Sequence, residues 1–246
     1  MRTRLIAKLE IKSKNVVKPI HFEGLKVVGC PYKLAKKYYN RGIDELMLID
    51  IVSSLYQRSI DYDFIKKISK EIFVPITVGG GIKSTKQISK ILEHGADKVS
   101  INTFALQNNS NFINEAVKKF GSQCITANIE SKKIDNNWIC ISDGGRVPSS
   151  RKVINWIKEL EDRGVGEILI QSLDTDGSMK GFDLELLNNV KNIVNIPIIV
   201  ASGAGNMDHI KELKKLIDPD AICLASVLHY NKLKIKNIKK NIKKNI

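Results

Sequence analysis

Glu10 in Ala7-Lys8-Leu9-Glu10-Ile11-Lys12 and Glu130 in Ala127-Asn128-Ile129-Glu130-Ser131-Lys132 hold the same place in two similar segments. Each closes an apolar run of the kind that forms a strand of a buried parallel sheet. Each carboxylate is therefore expected at a strand's carboxyl end, where ligands of such sheets sit. Two carboxylates flanking one substrate can divide proton donation and acceptance between them. The competing reading is that each only orients a loop lysine, Lys12 or Lys132. Asp50 and Asp176 are further carboxylates at strand ends.

Small residues gather at other strand ends. Pro75-Ile76-Thr77-Val78-Gly79-Gly80-Gly81 lies over Pro197-Ile198-Ile199-Val200-Ala201-Ser202-Gly203, and Asp97 to Thr103 lies over Asp220 to Ser226. Glycine lets backbone N–H groups approach an anion closely. One anion site is therefore expected at Gly81, Asn102 and Thr103, and a second at Gly203, Ala225 and Ser226 with Gly177 near by. A duplicated site suits a ligand with a phosphate at each end, and the alternative is that the glycines only make tight turns. At the opposite rim Arg4, Glu45, Lys98 and Glu167 each precede an apolar run. Two cations and two anions there can neutralise one another, as burial requires. They form either a salt-bridged plug or a gate that opens onto a partner protein.

These residues need a scaffold that repeats. The match of Pro75 with Pro197 recurs at the same displacement in Arg41-Gly42-Ile43-Asp44-Glu45-Leu46 over Arg163-Gly164-Val165-Gly166-Glu167-Ile168. A repeat this long is the length of four βα pairs, and two such halves make an eight-stranded (β/α)₈ TIM barrel, a fold of about 250 residues. The expected organisation is one α/β barrel domain over residues 1–246, with half-repeats at about 1–122 and 123–230 and a lysine-rich tail, 231–246, free to fray.

In the first half, strands are predicted at Leu5 to Ile11, Glu45 to Ile51, Ile76 to Val78 and Lys98 to Asn102. Helices are predicted at Pro31 to Arg41, Asp61 to Glu71, Ser84 to His94 and Ser110 to Phe120. In the second half the strands are Ile125 to Ile129, Glu167 to Leu173, Ile198 to Ala201 and Ala221 to Ala225, and the helices Arg151 to Arg163, Asp183 to Val194 and Met207 to Leu216. A long polar loop, Asn15 to Glu23, reads as an active-site cover, and Ile134 to Ser142 as a small hairpin turning at Asn136-Asn137.

The chain of 246 residues is 43% hydrophobic, enough to fill a barrel core. Its charge of +14 comes from lysines scattered over helix faces and from the tail. That spread argues against nucleic-acid binding and for a field that attracts phosphorylated small molecules. Cys30, Cys124, Cys140 and Cys223 form no framework and read as reduced thiols. Neither a signal peptide nor a membrane span is expected, and the reading is a cytoplasmic protein needing no metal or cofactor.

Taken together, the residues resemble the cyclase subunit of imidazole glycerol phosphate synthase, the HisF family. The likeness runs from Arg4 to about Tyr230, through Val16-Val17-Lys18, G-I-D-E-L, T-V-G-G-G-I, G-A-D-K-V-S-I-N-T, F-G-S-Q, G-E-I-L, D-G-S with G-F-D, and A-S-V-L-H-Y. The resemblance implies a barrel that closes the imidazole ring of a bisphosphorylated ribonucleotide in histidine biosynthesis. Ammonia would come from a HisH-like glutaminase subunit on the bottom face, past a gate matching Arg4, Glu45, Lys98 and Glu167. Lys18 would lie on a flexible loop over the substrate.

Three departures stand out. The family's two catalytic residues are aspartates, and here both are glutamates. One methylene moves a carboxylate by about an ångström, a displacement that can cost about a hundredfold in rate. Val200-Ala201-Ser202-Gly203 stands where the family has Ala-Ser-Gly-Gly, and Gly144 to Pro148 matches poorly. The alternatives are a paralog serving another amidation, such as amidino-group formation on a surface sugar, and a catalytically silent activator of a glutaminase.

Overall fold

In a computed structural model, residues 3–21, 23–53, 61–107 and 110–242 are described. The eight short apolar runs form parallel strands: β1 (Arg4–Lys12), β4 (Glu45–Asp50), β5 (Ile76–Gly79), β6 (Lys98–Ile101), β7 (Ile125–Ile134), β10 (Glu167–Ser172), β11 (Ile198–Ala201) and β12 (Ala221–Leu224). They pair in the order β1-β4-β5-β6-β7-β10-β11-β12 and close through β12 with β1. The fold is a (β/α)₈ barrel. β1 and β7 are four strands apart in either direction, so Glu10 and Glu130 face each other from opposite walls.

Side chains alternate along each strand. Leu5, Ala7 and Leu9 join the large outer core against the helices. Ile6, Met47, Leu169, Ile199, Ala221 and Cys223 form a separate inner cluster that packs the barrel axis. The half-repeat extends to hydrogen bonds. Asp97, before β6, accepts the N–H of Ile76 at 2.8 Å, and Asp220, before β12, accepts that of Ile198 at 3.0 Å.

The helices are α1 (Pro31–Asn40), α2 (Tyr62–Ser69), α3 (Thr85–Glu93), α4 (Thr103–Leu106), α5 (Asn111–Phe120), α6 (Val153–Asp162), α7 (Leu184–Val190), α8 (Met207–Leu216), α9 (Ser226–His229) and α10 (Ile235–Ile242). Asp61, Ser84 and Asp183 are N-caps whose side chains accept the N–H groups of Phe64, Gln87 and Leu186. This capping role moves three predicted helix starts by one residue.

Four expectations change. Asn15 to Glu23 is not a loop: β1 extends to Lys12 and turns at Ser13 (φ 56°) into an antiparallel hairpin, β2 (Asn15–Ile20) and β3 (Glu23–Gly29). The β-branched residues Val16, Val17, Ile20, Val27 and Val28 supply that strand character. The second insertion turns at Asp135 and Asn136 (φ 45° and 60°), one residue earlier than read, and continues as β8 (Asn137–Ser142) and β9 (Val147–Lys152). The single-turn helices α4 and α9, which follow β6 and β12 at symmetric places, were not foreseen. Lastly, the lysine-rich tail does not fray through 242. Ile235, Ile238 and Ile242 share one buried face of α10, Lys214 donates to the Ile242 carbonyl at 3.2 Å, and Lys239 pairs with Asp44. Residues 243–246 of that tail lie outside the described residues.

Candidate functional site

At the carboxyl face, Glu10 and Glu130 line one cavity of about 410 Å³. The same cavity is lined by Gly81, Asn102 and Thr103, and by Asp50. Its rim carries Lys83 and Arg146. Gly81 has φ 66°, and a Cβ there would come within 2.9 Å of Ser53, so the tight approach excludes other residues. Thr103 Oγ1 accepts the N–H of Asp143 at 3.0 Å, which ties the β8–β9 turn to the start of α4.

The two carboxylates are held very differently. Glu10 is engaged at both oxygens: Lys8 Nζ lies 2.9 Å from Oε1, and Lys18 Nζ 2.8 Å from Oε2. Burial alone would raise the pKa of Glu10, but Lys18 and then Lys8 overcome that and hold it at about 2. Among the described residues, Glu130 is held by the Gly145 N–H, which donates to its Oε2 at 2.9 Å. Burial pushes its pKa up to about 7, opposed only in part by Lys8 and by that N–H. Lys132 is exposed, and the lysines that engage Glu10 are Lys8 and Lys18 rather than Lys12.

The second expected anion site is nearly filled. Gly177, Gly203, Ala225 and Ser226 line a cavity of about 20 Å³, room for about one water, and Lys8, Lys18 and Asp176 complete its wall. Lys18 reaches in from β2 and bridges Glu10 to Asp176, donating to both Asp176 oxygens at 3.1 Å. The His21 N–H donates to the Asp176 carbonyl at 2.9 Å, so the hairpin is pinned at two points. Gly177 has φ 68°, and a Cβ on it would lie 2.5 Å from the Pro19 carbonyl oxygen: the hairpin packs directly on this turn. The backbone preceding the two single-turn helices is the same, with φ/ψ of −144°/−93° at Asn102 and −126°/−80° at Ala225. The halves thus share a scaffold and differ in what covers it.

At the opposite pole Arg4, Glu45, Lys98 and Glu167 are the first residues of β1, β4, β6 and β10. They form one alternating cluster. Arg4 pairs with Glu45 and, at 2.9 Å, with Glu167, while Lys98 lies 2.9 Å from Glu167 and 3.5 Å from Glu45. Burial pushes the Glu167 carboxyl up, but Lys98 and Arg4 outweigh it and leave the group below its ordinary pKa. Thr126 adds a hydrogen bond to Glu167 at 2.9 Å.

The sequence profile of the family described as "Histidine biosynthesis protein" matches residues 4–234. The chain is 42% identical to "Imidazole glycerol phosphate synthase subunit HisF" of Campylobacter concisus (strain 13826) over 98% of this chain and 95% of that protein. It is 43% identical to the protein of the same name from Helicobacter hepaticus (strain ATCC 51449 / 3B1), over 96% and 93%. The chain belongs to the HisF family. Both relatives are named as subunits, hence as parts of a larger enzyme.

Within this HisF-family barrel, sequence reasoning passed over a buried polar chain. Lys8 Nζ donates to Gln171 Oε1, and Gln171 Nε2 donates to Asn128 Oδ1 at 2.7 Å. All three are buried. A signal existed: Lys8 is a charged residue two places before Glu10 in an otherwise apolar strand, so both side chains must point inside. Gly145, the donor to Glu130, lies in the turn between β8 and β9.

Proposed function

We propose that the chain is the cyclase component of an imidazole glycerol phosphate synthase. It closes the imidazole ring of a bisphosphorylated ribonucleotide with ammonia from a HisH-like glutaminase bound at the Arg4–Glu45–Lys98–Glu167 pole, in the cytoplasm. The observation that carries this reading is the pair of carboxylates on opposite strands of one closed barrel, lining a common cavity. Family membership supports it. No helix among the described residues is long and apolar enough to cross a membrane.

The roles follow from the electrostatics. Glu130, with a pKa near neutrality, is the group that can hold a proton at pH 7 and give it to a leaving oxygen. Glu10 stays charged and is the acceptor, but only once an oxygen is uncovered. Gly81, Asn102 and Thr103 receive one phosphate. Gly177, Gly203, Ala225 and Ser226 receive the other, and a tetrahedral phosphoryl group does not fit in about 20 Å³. On this reading the lining shifts to admit it, and Lys18, which lines that space between Glu10 and Asp176, is the side chain that withdraws. Substrate admission and the unmasking of Glu10 are one event, and Lys18 then becomes available to the incoming phosphate. The four-residue charge cluster is the gate for ammonia.

Purified chain, incubated with the ribonucleotide and ammonium salt and assayed for the imidazole product, tests the reading. Turnover supports it. Absence of turnover alongside stimulation of a HisH-like glutaminase would replace it with the silent-activator reading.

A further inference from the structure

The mechanism above leaves one buried charge unused. Lys8 sits inside the barrel below the carboxylates and is covered on every side, whereas Lys18 belongs to a hairpin. Its ammonium is fixed by two acceptors, Glu10 Oε1 at 2.9 Å and Gln171 Oε1. Gln171 is itself held: its amide donates to Asn128, and its backbone carbonyl accepts from the Ser131 hydroxyl at 2.8 Å. These partners come from β7 and β10, across the barrel from β1, so Lys8 is braced by the far wall.

Resting on the cyclase reading, we propose that Lys8 is a positioning residue: it grips Oε1 of Glu10 from within the barrel, so that Oε2 remains charged and aimed at the cavity when Lys18 leaves. The charge balance requires such a group. The groups around Glu10 are Lys8 on its own strand, Lys18 on β2, Glu130 on β7, Asp176 after β10, the Cys223 thiol on β12 and His229 on α9. Burial pushes the thiol up to about 12 and pulls the imidazole down to about 4, so near neutral pH Cys223 adds no negative charge and His229 no positive one. With Lys18 withdrawn, Glu10 and Asp176 would be two buried carboxylates facing, among the described residues, no cation but Lys8. Without Lys8 no lysine would offset the burial of Glu10, and its carboxyl would take up a proton more readily. Burial opposes the charge on Lys8, and Glu10 and Asp176 more than restore it, so the ammonium persists throughout the working pH range.

The experiment is an NMR titration of glutamate side-chain carboxyls in ¹³C-labelled full-length protein, with no substrate present. Lys18→Met mimics the withdrawn hairpin, and Glu10→Gln assigns the signal. In Lys18→Met, Glu10 should remain ionised below its ordinary pKa. Adding Lys8→Met should raise its midpoint by about two pH units. The milder Gln171→Leu, which removes only the brace, should raise it by a smaller amount, and it carries the test if the double variant does not fold. A Glu10 midpoint unmoved by both changes overturns the proposal. Because the titration needs no turnover, a protein inactive on the ribonucleotide would sink the cyclase reading and leave this result standing. In an active protein, Lys8→Met should lower kcat and move its acidic limb upward with KM little changed, and a change in KM alone would contradict a positioning role.

Discussion

Glu10 and Glu130 occupy equivalent positions in the two halves of one barrel, yet one is gripped by two lysines and the other is held by a single backbone N–H. The same inequality holds for the anion sites: about 410 Å³ stands open beside Thr103, and about 20 Å³ is left beside Ser226. The backbones of the two sites match closely, so the difference arises from the insertions. The β2–β3 hairpin folds inward and plants Lys18 on Glu10, whereas the β8–β9 turn approaches Glu130 with backbone alone. The duplicated scaffold thereby holds one carboxyl below and one above its ordinary pKa, a division that would serve the proposed acid–base chemistry.

Removing either carboxyl breaks the comparison most severely. Glu10→Gln and Glu130→Gln should each lower turnover by about 10² to 10⁴, measured with ammonium salt as nitrogen source. Equal activity in either variant would remove that residue from the chemistry.

The next effect is on stability. Glu167→Gln leaves Arg4 and Lys98 facing one acid instead of two, and should cost about 3 kcal/mol in denaturant unfolding. The exposed Lys36–Glu71 pair is a control, and Glu71→Gln should leave unfolding unchanged within error.

The pH dependence of stability separates the two carboxyls. Glu10 has a folded pKa below that of the unfolded chain, so its contribution is present above about pH 4.5 and is lost as pH falls toward 2. Glu130 has a raised folded pKa. The native state binds its proton more tightly, so its contribution is present below about pH 4.5 and is lost as pH rises through 7, a change of about 3 kcal/mol. Glu130→Gln should flatten the fall between pH 4.5 and 7, and Glu10→Gln should flatten the rise between pH 2 and 4.5. The smallest effect is local. Lys18→Met should speed amide exchange in the 15–29 hairpin about tenfold while leaving the 134–152 insertion unchanged.

The barrel was legible because its signals are redundant: eight apolar runs and a half-barrel repeat carried by Pro75 and Pro197. The placement of Glu10, Glu130 and the four strand-opening charges followed from strand polarity and side-chain alternation. The hairpin was missed because its valines are interspersed with Lys18, Pro19 and Lys26, which mask the strand pattern, and because its stability depends on Asp176, distant in sequence. Lys8 was passed over since a lysine in a strand is ordinarily placed at an edge, and only closure of the barrel brings Gln171 and Asn128 to it. The tail was misjudged by composition: its lysines suggested solvation, while the isoleucines at 235, 238 and 242 have the spacing of a buried helical face.

The asymmetry is tested most directly by kcat/KM for imidazole formation from pH 5 to 9, at constant free-ammonia concentration, in the native chain and in Glu130→Gln. The native chain should turn over with a limb near pH 7 as Glu130 loses its proton, and the variant should lose both that limb and most of the rate. A native profile flat through pH 7, or a variant as fast as the native chain, would contradict the account.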